Sequence, residues 1–165
     1  MAGTLLDRAR TLYERFAGLL GYLQSPLLLA MRLFWGSQFF LTGKGKLMNL
    51  ERTTTFFASL NIPMPGVNAA IAGTTEMVGG ALLVLGLGSR LASIPLVFTM
   101  LVAYATAERE ALSALLTDPS QFTGAEPFLF MLTALVVLAF GPGAISLDEL
   151  LKRRLGLTEE APAAA

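Results

Sequence analysis

The chain has 165 residues, enough for one domain, with 54% hydrophobic residues, 15% charged residues and no net charge. An average soluble domain is about 25% charged; here the charges crowd into residues 7–15, 44–52, 108–126 and 148–160, with nearly charge-free stretches between, the pattern of membrane spans separated by wet loops. Scattered basic residues argue against a nucleic-acid partner, and the absence of both Cys and His argues against disulfides, hydrolase chemistry and a metal held by this chain alone.

Residues 5–23 place Leu5, Ala9, Leu12, Phe16, Leu19 and Leu23 at helical spacing, with Leu6, Tyr13 and Leu20 beside them. Asp7, Arg8, Arg10, Glu14 and Arg15 fall on the other side, which makes residues 1–24 an amphipathic helix expected to lie in the membrane interface. The opening lacks a basic region running into an apolar core and a small-residue cleavage site, so no cleavable signal is expected here. Ser25-Pro26 reads as an N-cap and first helical position, opening a first span from Pro26 to about Thr42. Gly43-Lys44-Gly45-Lys46 is expected to end or bend it.

Leu50 to Leu60 reads as a short helix stopped by Asn61-Ile62-Pro63-Met64-Pro65-Gly66. The second span is expected over Val67–Leu87 and the third over Leu91–Ala107, antiparallel neighbours because Gly88-Ser89-Arg90 is so tight a turn. A loop from Glu108 to Gly124 precedes a short fourth span, Ala125–Phe140, with a Gly141-Pro142-Gly143 break beyond it. Ser146-Leu147-Asp148-Glu149 is a capping box that opens a second amphipathic helix to Leu155. The tail from Thr158 to Ala165 is expected to be disordered. The expected fold is therefore all-α: an integral membrane four-helix bundle over residues 25–145, with amphipathic interfacial segments at 1–24 and 146–165.

With four spans the two ends share a side. That side carries Arg8, Arg10, Arg15, Arg90, Lys152, Arg153 and Arg154, against Lys44, Lys46, Arg52 and Arg109 on the other. The excess favours both termini on the cytoplasmic side.

Two charges fall inside the expected hydrocarbon, Arg32 and Glu76. Each is unfavourable there by about 2.5–3.5 kcal/mol, so each should face the bundle interior or a wet cavity. Glu76 shares its stripe with Ala69, Ala72, Gly73, Gly79, Gly80 and Leu83, small residues that let a neighbouring helix approach. Arg32 lies about 9 Å from the inner edge and Glu76 about 13 Å from the outer edge at 1.5 Å per residue. Their depths then differ by roughly 7–8 Å in a core of about 30 Å. A direct or water-bridged pair and a Lys44–Glu76 pair are rival arrangements. Such a pair either fixes helix register or lines a pocket for a proton or small headgroup. Trp35, Gln38, Phe39 and Tyr104 are softer pocket candidates, because such residues are more often interface-belt aromatics or helix glue. Glu108, Asp118 and Glu126 read as a solvated acidic loop more readily than as metal ligands.

The runs Arg32-Leu33-Phe34, Gln38-Phe39-Phe40 and Thr42-Gly43-Lys44-Gly45-Lys46-Leu47 resemble the opening of DoxX family proteins. So do Phe56-Phe57-Ala58-Ser59-Leu60-Asn61-Ile62-Pro63, Glu76-Met77-Val78-Gly79-Gly80, Leu85 to Leu91, Met100 to Tyr104, Asp118-Pro119, Glu126-Pro127-Phe128-Leu129 and Phe140-Gly141-Pro142-Gly143. The resemblance covers about residues 27–150. It implies a four-span protein of the bacterial inner membrane, and association with membrane oxidoreductases such as thiosulfate:quinone oxidoreductase. Some relatives carry a cysteine near Glu76 or a histidine before Arg109, where this chain has Met77 and Glu108. Thiol or metal redox chemistry by this chain is therefore not expected.

The first expectation is a membrane subunit of a quinone-linked system. Its ligand-binding residues would be Arg32, Trp35, Gln38, Lys44, Glu76 and Tyr104, its only cofactor a non-covalent quinone, and its partners the bilayer and a redox protein. The second is a non-enzymatic scaffold locked by Arg32 and Glu76. The third is a small-solute permease, which four spans permit only in a homo-oligomer.

Overall fold

The computed structural model describes residues 2–156, with side chains from residue 7 onward; the expected disordered tail lies outside the described residues. These residues are helical, without strands, in the order α1 (Ala2–Met48), α2 (Leu50–Ser59), α3 (Pro65–Leu85), α4 (Ser89–Thr106), α5 (Arg109–Ser113), α6 (Pro119–Gly124), α7 (Pro127–Phe140) and α8 (Leu147–Arg154). By length and composition α1, α3 and α4 can each cross a membrane, and α7 is an apolar helix of 14 residues.

The largest departure from expectation is α1. Ser25-Pro26 does not start a helix; Pro26 lies inside one of 47 residues. Proline lacks the N–H that would bond the carbonyl four residues back, here Tyr22, so the helix passes through with one bond missing. The Ser25 hydroxyl caps nothing on α1 and accepts instead from the Ala144 amide at 3.1 Å. Nor does Gly43–Lys46 end the helix, which runs on to Met48. Gly43 is tolerated there because tertiary packing outweighs its poor helix propensity.

That packing is a reciprocal glycine contact between α1 and α3. A Cβ at Gly43 would lie 2.6 Å from the Gly73 carbonyl oxygen, and one at Gly80 would lie 2.6 Å from that of Gly36. Gly36 and Gly43, like Gly73 and Gly80, are seven residues apart, so two antiparallel helices meet backbone to backbone at two successive levels. The stripe around Glu76 serves two interfaces, since Gly79 meets Leu96 of α4, 2.9 Å from where its Cβ would be. Contacts run from α1 to α3, α3 to α4, α4 to α7 and back from α7 to α1, closing a ring. Its apolar centre is Phe39, Leu83, Leu96, Met100, Phe130, Ala134 and Val137.

The α3–α4 turn follows from Gly86, at φ +68°, with the Leu87 amide bonded to the Leu82 carbonyl at 3.0 Å in a Schellman closure. The expected capping box at Ser146 is present, its hydroxyl accepting from the Glu149 amide at 3.2 Å. The loop expected at 108–124 contains the two short helices α5 and α6.

Candidate functional site

Two buried polar centres lie at opposite ends of the α1–α3 interface. At the end from which both termini leave, Arg32 is fully buried. Its Nη1 donates to the Leu83 carbonyl at 3.2 Å and its Nη2 to the Ile145 carbonyl at 2.5 Å. Gly86 makes room for it, because a Cβ there would collide with Nη1. Asp148 faces the same centre as the balancing charge. Its carboxylate accepts from the Gly88 amide at 2.8 Å and the Ser89 amide at 3.3 Å, capping α4 from a distant part of the chain. The Asp148 amide returns a bond to the Gly86 carbonyl at 2.9 Å. Arg32 thus clips the segment after α7 onto the end of α3. Its Nε and the Ser89 hydroxyl have no hydrogen-bond partner among the described residues.

At the loop end, Glu76 is 1% exposed and its Oε1 accepts from Lys46 Nζ at 2.5 Å. Its Oε2 is buried without a partner among the described residues. The Thr42 hydroxyl and the Glu126 carboxylate are the other polar groups within its electrostatic reach. The Thr42 hydroxyl also bonds the Gln38 and Phe39 carbonyls of its own helix, at 2.9 and 3.0 Å. The Lys46 side chain remains 32% exposed, so the pair connects a buried carboxylate to the surface.

Both rival pairings drawn from the sequence are replaced. Arg32 and Glu76 do not meet: Arg32 binds the level of Leu83, seven residues or about 10 Å along α3 from Glu76. Lys44 is exposed, and Lys46 takes the place assigned to it. Arg32, Gly36, Phe39, Gly43 and Lys46 are spaced four, three, four and three apart, one face of one helix. Breaking the helix at Gly43 hid that signal.

The remaining candidates fall in different surroundings. Trp35 is half-buried, edge-on to Phe130 with ring centres 5.0 Å apart, and Phe39 packs on the same ring at 4.7 Å. Gln38 is half-buried, and its amide makes no hydrogen bond among the described residues. Tyr104 is buried and already engaged. Its hydroxyl donates to the Phe122 carbonyl at 2.8 Å and its ring stacks on Phe122 at 4.5 Å. Asp118 caps α6 through the Ser120 amide, and among the described residues it forms no metal-ligating group with Glu108 and Glu126. Hydrogen bonds from the Ser120 hydroxyl and the Gln121 amide hold its carboxyl below the usual carboxylate range.

Comparison with known proteins places this geometry in context. The family described as DoxX matches residues 27–109, which include Arg32, Lys46 and Glu76. The chain is 33% identical over 141 residues to the uncharacterized membrane protein Rv3486 of Mycobacterium tuberculosis, covering 78% of this chain and 83% of that one. It is 30% identical over 122 residues to the putative oxidoreductase CatD of Bacillus subtilis, covering 73% of this chain and 83% of the relative. No solved structure matches.

Proposed function

This chain belongs to the DoxX family of membrane proteins, and from that premise we propose that it is the membrane subunit of a quinone-linked oxidoreductase system. The observation that carries the reading is the Glu76 carboxylate, buried with one oxygen on Lys46 and the other unpartnered. Ionisable groups held at such depth mark ligand or proton sites more often than mere glue. The name of the Bacillus subtilis relative, a putative oxidoreductase, points the same way.

Reducing a quinone takes two electrons and two protons. Without Cys or His, this chain supplies neither a thiol nor an imidazole-bound metal to deliver electrons. In this reading an associated redox protein provides them. The headgroup carbonyl accepts from Lys46 or Thr42, Glu76 exchanges a proton through its free oxygen, and Gln38 offers a further donor. The two Arg32 Nη groups and the Tyr104 hydroxyl are engaged elsewhere, and these residues support the frame. Trp35 lies on the same helix as Gln38 and reports on binding. The excess of Lys and Arg at the termini end orients both ends toward the cytoplasm of a bacterial inner membrane.

A second reading is favoured by the glycine contacts that flank Glu76. In it the Lys46–Glu76 pair only fixes the register of α1 on α3, as a scaffold requires. One experiment separates the two. The protein has a single tryptophan, Trp35. Titration of the purified protein in nanodiscs with a quinone analogue should quench its emission saturably, and Glu76→Gln and Gln38→Leu should each weaken binding about tenfold or more, near 1.4 kcal/mol. Absence of saturable quenching removes the quinone reading. Loss of folding in Glu76→Gln without any ligand effect leaves the scaffold.

A further inference from the structure

We propose that the first half of α1 and the helix α8 form one collar that binds anionic phospholipid headgroups at the termini end of the molecule. Every residue from 7 to 24 is exposed, although the stretch includes Leu12, Phe16, Leu19 and Leu23 along one face with Tyr13 and Leu20 beside them. Leu12 is 67% exposed and Leu23 62%. A helical face of that kind does not remain in water.

Position and charge together identify what covers it. The Ser25 hydroxyl holds the Ala144 amide, and a Cβ at Gly143 would touch the Ser25 backbone at 3.4 Å. The exposed half of α1 and α8, which starts three residues after Ala144, therefore leave the bundle at one level. Pro26, with its missing hydrogen bond, supplies α1 with a bend point at that same level. Exposed leucines, Leu150 and Leu151 on α8 and Leu155 just past its end, accompany Lys152, Arg153 and Arg154 in its last turn. Two amphipathic helices diverging from a common plane, each apolar on one face and basic, fit a bilayer surface.

The charges are sorted as a lipid surface requires. At 3.6 residues per turn Arg8 and Arg15 border the apolar face, while Asp7 and Glu14 stand opposite it. Glu14 is paired with Arg10 at 2.8 Å, Glu149 with Arg153 at 2.9 Å, and Asp148 caps α4. Arg8, Arg15 and Arg154 have no ion pair among the described residues. They are placed for phosphate. The three-four spacing of Leu12, Phe16, Leu19 and Leu23 also suits a coiled coil with a second copy. Tyr13 and Leu20, however, make the face wider than a two-position seam, and in a parallel pair Arg8 and Arg15 would find no acid opposite.

The chain has no cysteine, so single cysteines can carry spin labels without background. Leu12→Cys, Phe16→Cys, Glu14→Cys and Gly18→Cys should be reconstituted in vesicles of phosphatidylcholine, with and without phosphatidylglycerol. With phosphatidylglycerol, labels at 12 and 16 should collide mainly with oxygen in the lipid and those at 14 and 18 with a water-soluble nickel chelate. Without it, or in high salt, the contrast should shrink. Native mass spectrometry should show retained phosphatidylglycerol falling about fivefold for each arginine removed in Arg8→Gln, Arg15→Gln and Arg154→Gln. Immersion that ignores lipid charge, or arginine variants that keep their lipid, overturns the proposal. Spin–spin broadening at position 12 puts a second copy in place of lipid and overturns it as well.

Discussion

The two buried charges of this protein sit on one interface, yet they are held in opposite ways. The partners of Arg32 are backbone carbonyls at the end of α3 and in the segment before α8. Neither can leave without unravelling its own element. Glu76 is held by the end of a flexible lysine chain that reaches the surface. A fixed set of acceptors makes a clasp. An exchangeable partner with a free oxygen beside it makes a place where something else can bind. Equal burial, then, does not mean equal role; what decides is whether the partner can move away.

The strongest test of that contrast is Arg32→Met. It leaves two carbonyls without their donor and Asp148 without its balancing charge, and should destabilise the protein by about 3–5 kcal/mol in detergent unfolding. Arg32→Lys should not restore it, because an ammonium cannot span both carbonyls as the guanidinium fork does. Recovery by lysine would mean that Arg32 is held by charge alone.

Between the two ends lies the glycine contact that aligns them. Gly80→Ala places a Cβ against the Phe40 amide nitrogen, 2.6 Å from the Gly36 carbonyl oxygen and 2.8 Å from the Phe39 Cβ, atoms of α1 that cannot rotate aside. A loss of about 1–3 kcal/mol is expected. Because α1 must shift as a body, distances measured across both the Arg32 and the Glu76 ends should change together. A shift confined to one end would show that the two are separate units.

Much of this was legible in the sequence. Hydropathy blocks, Gly86–Arg90 and the capping box located α3, α4, α7 and α8 within a few residues, because span, turn and cap are local signals. Arg32 and Glu76 stood out as charges in apolar surroundings. Their partners did not, since those partners depend on the path of α1. Local preferences at Ser25-Pro26 and Gly43-Lys44-Gly45-Lys46 favour breaks, and the helix persists through the second only because Gly43 is where α3 comes closest. Misreading that one helix moved Lys46 off the face it shares with Arg32. The carbonyl acceptors of Arg32 were beyond reach for another reason: a backbone oxygen carries no side-chain signature.

Glu76→Gln should have a smaller effect than either change above, about 1 kcal/mol in unfolding, the net worth of one hydrogen bond lost without stranding a buried charge. The released Lys46 side chain can extend to the surface, as long basic chains near helix ends do. A loss as large as that of Arg32→Met would place Glu76 among the clasps and remove the exchangeable partner from which the proposed ligand site is built.

The smallest effect concerns a third carboxylate, outside both buried centres. Asp118 is held below the ordinary carboxylate range by the Ser120 hydroxyl and the Gln121 amide, and it caps α6 through the Ser120 N–H. A group whose value is lower in the folded state contributes stability above its unfolded value and loses it as pH falls through the folded one. The cap should therefore hold at neutral pH and fray only below the usual carboxylate range. The protection of the Ser120 amide, measured against its intrinsic exchange rate at each pH, should fall there, while the unfolding midpoint of the whole protein barely moves. Asp118→Asn should retain part of the protection and lose its pH dependence. Protection that is already lost near neutral pH would mean the carboxyl is not held by these bonds.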